Sequence, residues 1–214
     1  MERDPKASVK DRNRNKLTDS ALICFVENGI DHTKVSDIAS RVGLTERTAF
    51  RYFETKDDLV LATLLRYWEY VKATVRTESF SPGYDKLTGI EQLKSVLYHY
   101  SDIYLENQKE LIFIHEAETY LYRAGKYKEI INQNIVPFDN KSGPLSQAIK
   151  KGILDGTIRR DLDIELLYFN TFDSLLGLLQ KIAIYEENTE EYHLYGTKRL
   201  RNFCDLLISA YSTQ

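Results

Sequence analysis

Residues 33 to 59 hold the side chains whose types and spacing point most directly to a chemistry. Thr33 stands where a hydroxyl can cap a first short helix carrying Val35, Ile38, Ala39 and Val42 at helical spacing. Gly43 supplies the left-handed or otherwise Cβ-intolerant position that ends it. Thr45 caps a second helix, along which Thr48, Ala49 and Tyr52 follow at three- and four-residue steps, and Ala39 is small where the two must cross. This is a helix-turn-helix pattern, whose second helix is the one presented to a DNA major groove. That second stretch bears Glu46, Arg47, Thr48, Phe50 and Arg51. Side chains at the start of such a helix can reach base edges, and a guanidinium can bond O6 and N7 of a guanine together.

No other constellation competes with it. No Gly-rich phosphate loop, nucleophile elbow or His-Glu-x-x-His stretch is present, so no catalytic residue and no enzyme activity are expected. His99 and His115 have no Cys or His at metal-ligand spacing, so neither a metal site nor a cofactor is expected. Cys24 and Cys204 each sit in an apolar helical pattern and read as core residues of a reducing compartment. The polar, charged N-terminus and the lack of any long apolar run predict a cytoplasmic location, with no membrane partner.

The elements that must position these groups are helical throughout. The chain has 214 residues, is 43% hydrophobic and 29% charged, and contains only four prolines. That is ample material for an all-α fold with a buried core. Residues 1–56 carry 11 Lys/Arg against 9 Asp/Glu, while the whole chain has a net charge of −3, so a mildly basic end is joined to an acidic body. Helices are predicted at about 13–27 (burying Leu17, Ala21, Cys24 and Phe25), across the motif, and from Thr55 to about Thr77. The segment from Ser79 to Thr88, with Pro82 and Gly83, is the clearest loop. Beyond it the periodicity gives helices at about 90–107, 109–122, 126–155, 163–185 and 190–211, the third broken near Asn140 to Pro144. Counting from the N-terminus, the last two are the eighth and ninth.

Across residues 12 to 62 the sequence resembles the DNA-binding domain of the TetR family of bacterial transcriptional regulators. Ile38, Ala39, Gly43, Thr48, Tyr52, Phe53, Lys56 and Leu59 stand at the positions of that family's pattern, and Leu17 to Gly29 resembles its first helix. Arg47, Ala49 and Phe50 depart from the commonest residues, which implies a different base readout. The resemblance implies an N-terminal three-helix helix-turn-helix domain plus a larger C-terminal helical domain, about nine helices in all. The corresponding boundaries are a mobile basic arm at 1–14, the helix-turn-helix domain at 15–58, a connecting helix at 59–78 and an effector-binding and dimerisation domain at 85–214. The arm is either a solvated tail or a phosphate contact.

By position in the family, Glu46, Arg47, Thr48 and Phe50 are the candidate base readers. Arg51 is either a further reader or a member of a surface ion pair. Thr33, Lys34, Thr45, Tyr52 and Lys56 are candidate DNA contacts, with Thr33, Tyr52, Lys56 and the first amides of the 35–42 helix meeting phosphate. Phe53 is expected in the core. A homodimer would pair through the eighth and ninth helices, whose apolar lines run through Leu162, Leu166, Phe169, Leu176, Leu179 and Ala183, and through Tyr192, Leu200, Phe203, Leu207 and Tyr211. Either line also serves as monomer core. The aromatic body offers Tyr104, Phe113, Glu116, Tyr120, Phe172 and Leu176 as candidate lining for a small-molecule effector, the carboxylate suiting a cationic, apolar one. The implied function is a homodimeric repressor released from a pseudo-palindromic operator by an effector. The alternative is a DNA-binding architectural or partner-recruiting protein without one.

Overall fold

The computed structural model describes residues 8–78, 82–126, 128, 143–186 and 190–213. Among them the regular structure is helical, and a lone bridge between Ile158 and Ser212 is the one β-type pairing. The helices are α1 (Val9–Asn28), α2 (Val35–Arg41), α3 (Glu46–Ala49), α4 (Lys56–Glu78), α5 (Gly89–Glu106), α6 (Gln108–Arg123), α7 (Pro144–Asp155), α8 (Ile164–Glu186) and α9 (Glu190–Tyr211), with a 3-10 turn at Tyr84–Lys86.

These elements fall into two compact units. The first takes the described residues up to Glu69 together with Phe113 to Lys126 and Lys128; the second takes Tyr70 to Ile112 and the residues from Gly143 onward. The division therefore does not follow the loop around Pro82. Instead α4 and α6 each contribute residues to both units.

In the first unit α1 begins well inside the segment expected to be a mobile arm. Ser8 caps it: its hydroxyl accepts from the Asp11 amide while the Asp11 carboxylate accepts from the Ser8 amide. Residues 8–14 are thus ordered helix and cap, a correction to the 1–14 arm; residues 1–7 lie outside the described residues. The buried faces of α1, α2 and α4 meet around Leu17, Ala21, Phe25, Ile30, Ile38, Ala39, Leu59 and Leu64, each at most 1% exposed. Phe113 and Leu121 of α6 are equally buried, and the Phe113 ring stacks on Phe25 at 5.9 Å between centroids. Apolar burial on this scale is the main force holding the unit together.

The second unit is a helical layer in which α5 lies against α7, α8 and α9. α5 and α7 approach so closely that a Cβ on Gly89 would fall 1.9 Å from the Gly152 nitrogen. Two side chains of the α7–α8 connection satisfy the first amides of α5: Asp155 accepts from Gly89 and Thr157 from Ile90. As expected, the chain breaks ahead of Pro144, with Gly143 as the cap and Pro144 in the first turn of α7. The preceding part of the predicted 126–155 helix lies largely outside the described residues.

Candidate nucleic-acid interface

The reading head is built from α2, a tight turn and α3. Gly43 has φ +72°, which a side chain would strain, and the Leu44 amide closes the turn by donating to the Ala39 carbonyl. Ala39 and Ala49 are both buried where the two short helices pack. Thr45 caps α3, its hydroxyl accepting from the Thr48 amide at 3.2 Å and pairing with the Thr48 hydroxyl at 2.9 Å. α3 itself is only four residues long. After Ala49 the chain continues through tighter turns, with Arg51 donating to Thr48 and Tyr52 to Ala49.

This short helix presents Glu46, Arg47, Phe50 and Arg51 outward as exposed side chains, whereas Thr48 is half-buried and committed to the cap. Phe50 is 43% exposed and offers an apolar surface of the kind that can meet a thymine methyl. Lys34 is exposed and occupies the cap position of α2 without bonding its amides.

The end of α3 is fastened from α1. Asn13 donates its side-chain amide to the Tyr52 hydroxyl at 3.1 Å, and the Arg14 guanidinium donates to the Tyr52 carbonyl at 3.0 Å. The same guanidinium lies 4.5 Å over the ring of Phe53, which is buried as expected. With Asn13 as its donor, the Tyr52 hydroxyl keeps its own proton for an outside acceptor such as a phosphate oxygen. The sequence alone placed Asn13 and Arg14 where the basic arm passes into the first helix, with no partner assigned to either. Their one-turn position before the buried face of α1 was the only available signal.

Thr33 does not cap α2. It is buried, and its hydroxyl bonds backward to the carbonyls of Gly29, at 2.7 Å, and Cys24. A hydroxyl bound inside the turn is not free to meet phosphate. The Lys56 ammonium likewise has a partner within the fold: it donates to the Ile30 carbonyl at 2.5 Å. As a cation at a helix start, Lys56 opposes the macrodipole. The Ile30 carbonyl now accounts for it. The start of α4 is instead capped by Thr55 and Asp58, whose hydroxyl and carboxylate bond each other's amides. Burial alone would raise the Asp58 pKa, but the Thr55 hydroxyl and the Lys126 ammonium, 3.0 Å away, hold it below the usual carboxylate value.

The candidate effector-lining residues fall in both units. Phe113, Glu116 and Tyr120 belong to the first unit, where each has a partner: Phe25, the Ile30 amide at 2.6 Å, and the Asp57 carboxylate at 2.7 Å. Phe172 and Leu176, buried and half-buried on α8, belong to the second. The side chain of Tyr104 lies outside the described residues. Glu116 thus serves the fold as an acceptor for the Ile30 amide. Among the described residues no group of His, Cys, Asp and Glu could hold a metal, and no helix is long and apolar enough to cross a membrane.

Comparison with known proteins agrees with this geometry. Residues 17–63 match the model of bacterial regulatory proteins of the tetR family. The chain is 26% identical over 169 residues, 75% of each chain, to the HTH-type transcriptional repressor KstR2 of Rhodococcus jostii. It is similar in structure to a putative TetR-family transcriptional regulator from Mesorhizobium loti (TM-score 0.71, 15% identity, 97% of this chain and 100% of that one). It is similar also to the transcriptional regulator FadR from Bacillus subtilis in complex with stearoyl-CoA (TM-score 0.65, 18% identity, 91% and 97%). The helix-turn-helix segment thus matches the tetR-family model over residues 17–63, and the chain is similar over most of its length to transcriptional regulators, among them one of the TetR family.

Proposed function

We propose that the protein is a homodimeric repressor that reads a pseudo-palindromic DNA operator through α3 and leaves it when a small molecule binds the helical body. The observation that carries the reading is the outward set Glu46, Arg47, Phe50 and Arg51 on a helix whose two ends are held by Thr45 and by Asn13 and Arg14. Arg47 is assigned to a guanine edge, with Glu46, Phe50 and Arg51 beside it. Tyr52, Lys34 and Thr45 are assigned to positioning contacts at the backbone.

A four-residue recognition helix covers too few base pairs to give regulatory affinity alone. Two copies about one DNA turn, roughly 34–36 Å, apart supply the rest. On α8 and α9, Leu179, Ala183 and Leu200 are buried within the chain, while Leu166, Tyr195 and Leu206 are 61%, 62% and 59% exposed. Of the expected stripes, Leu179, Ala183 and Leu200 therefore serve the monomer core, while Leu166, with Tyr195 and Leu206 from outside the stripes, offers apolar surface suited to a second copy. Tyr192 falls among side chains outside the described residues.

For the effector we favour an apolar, acyl-type molecule. The support is the apolar interior of the second unit, around Leu93, Leu97, Leu175 and Ile182, together with the stearoyl-CoA bound by the similar FadR. Selection of bound duplexes from a random pool tests the central claim. A palindromic site should emerge, and Arg47→Ala should relax preference at one position per half-site at a cost of about 1–3 kcal/mol per contact. Recovery of sites without symmetry, or an Arg47→Ala variant with unchanged preference, refutes the assignment. Acyl-CoA added at fixed salt should lower operator affinity; no response to any acyl-CoA refutes the effector class.

A further inference from the structure

Ile30 lies in the turn between α1 and α2, and both polar atoms of its backbone are bound by side chains from remote elements. Its amide donates to a Glu116 carboxylate oxygen at 2.6 Å, and its carbonyl accepts from the Lys56 ammonium at 2.5 Å. The partners lie 86 and 26 residues away in sequence. The preceding Gly29 has φ +77°, and a Cβ there would come within 3.4 Å of Glu116 Oε1, so the backbone is shaped to bring the amide to the carboxylate. The Ile30 side chain is fully buried, and the hydroxyl of Thr33, one turn on, bonds the Gly29 carbonyl. α2 begins five residues after Ile30 and carries α3 on its far side.

We infer that Glu116 is a positioning residue for DNA reading: through the Ile30 amide it fixes the angle at which α2 and α3 leave α1. The inference rests on the proposed reading of DNA by α3. Its chemistry is a charge-assisted bond to a single amide, stronger than a neutral one and directional. The amide bonded to Glu116 belongs to the Gly29–Ile30 peptide and the carbonyl bonded to Lys56 to the Ile30–Asp31 peptide, so the two bonds hold the peptides on either side of the Ile30 Cα and the turn has one favoured setting. Loss of that setting leaves the surface charges of the head intact. Binding that depends on register against base edges suffers, while attraction to phosphates does not. Tyr120 provides the internal control. It stands one turn further along α6 and bonds Asp57 in the first turn of α4, so its removal weakens the same packing without touching Ile30.

The test compares wild type, Glu116→Ala, Glu116→Gln and Tyr120→Phe. Each is titrated with the duplex that wild type selects from a random pool and with an unselected duplex of equal length. Urea midpoints and hydrogen exchange across residues 28–34 are measured alongside. Glu116→Ala should lower the ratio of selected to unselected affinity about tenfold or more, as expected for a lost hydrogen bond to a charged group. Exchange at Ile30 should accelerate beyond the global change. Tyr120→Phe should keep the ratio within about twofold at a similar urea midpoint, since its bond serves packing alone. Glu116→Gln keeps an acceptor oxygen and should fall between, and it decides the matter if the alanine variant does not fold. A ratio unchanged in Glu116→Ala, or one that falls equally in Tyr120→Phe, overturns the inference while leaving DNA reading by α3 intact. Failure of wild type to select any duplex overturns both.

Discussion

Replacement of Lys56 by Met separates two roles that the sequence left superimposed. Methionine keeps much of the side-chain volume and removes the charge and its donors. Were the ammonium a phosphate ligand, each protomer would release about 0.9 counterion fewer after substitution, so a dimer's log–log salt slope would drop by about 1.8. Between about 50 and 200 mM salt that slope difference amounts to roughly a twelvefold change in relative affinity. The structure gives another expectation, because the ammonium is bound to the Ile30 carbonyl at 2.5 Å. Breaking a hydrogen bond from a charged donor costs about 1.5–3 kcal/mol, and half-burial of Lys56 puts it at the lower end. If the loosened turn must be re-ordered on binding, affinity falls by up to about tenfold per protomer, equally at every salt concentration. Fluorescence anisotropy of a labelled operator at four salt concentrations reads both quantities. Parallel lines of log K against log salt, displaced downward, are expected for Lys56→Met. Lines that converge at high salt, with a slope reduced by about two, would refute the assignment of Lys56 to the Ile30 turn.

Three further outcomes follow from named contacts. Phe113→Ala removes a ring that is 1% exposed and stacked on Phe25, and should cost about 3–5 kcal/mol in urea unfolding, whereas an effector-lining role would leave stability nearly unchanged. Gly89→Ala would need α5 and α7 to separate where its Cβ falls 1.9 Å from the Gly152 nitrogen, at a cost of at least about 1–3 kcal/mol and a clearly lower Tm. Burial, then the Asp57 carboxylate it donates to, pushes the Tyr120 phenol up to about 12. Because its folded pKa lies above the unfolded value near 10, its contribution to stability is complete below about pH 10 and fades as pH rises towards 12. Absorbance titration should show a late phenolate that Tyr120→Phe removes; its persistence in that variant would reassign the group.

How much was legible depended on the range of the interaction. The helix-turn-helix could be read because its determinants are local: a Thr45 cap, a glycine at Gly43 with φ +72°, and small residues at Ala39 and Ala49 where the helices cross. The break before Pro144 was legible for the same reason. The extent of α1 was missed because a basic, polar stretch looks like a solvated tail. Its capping box at Ser8 and Asp11 is itself local, and is the signal that could have corrected the boundary. The partners of the candidate effector-lining residues were not legible, because aromatic and acidic residues at helical spacing do not reveal what they meet. Phe113, Glu116 and Tyr120 turned out to hold α6 against Phe25, Ile30 and Asp57.

The sequence by itself determined the all-α class and the match of residues 17–63 to the tetR-family model. It also determined the face of α3 that carries Arg47, because helix propensity, capping and periodicity act over one or two turns. Tertiary structure alone decided what the charged groups behind that face do. Asn13 and Arg14 became supports for Tyr52, while Glu116 and Lys56 came to hold the amide and the carbonyl of Ile30. A backbone amide or carbonyl is present at almost every residue and carries no mark in the sequence. Which one a distant side chain will meet is fixed only when burial of the apolar faces brings the helices together.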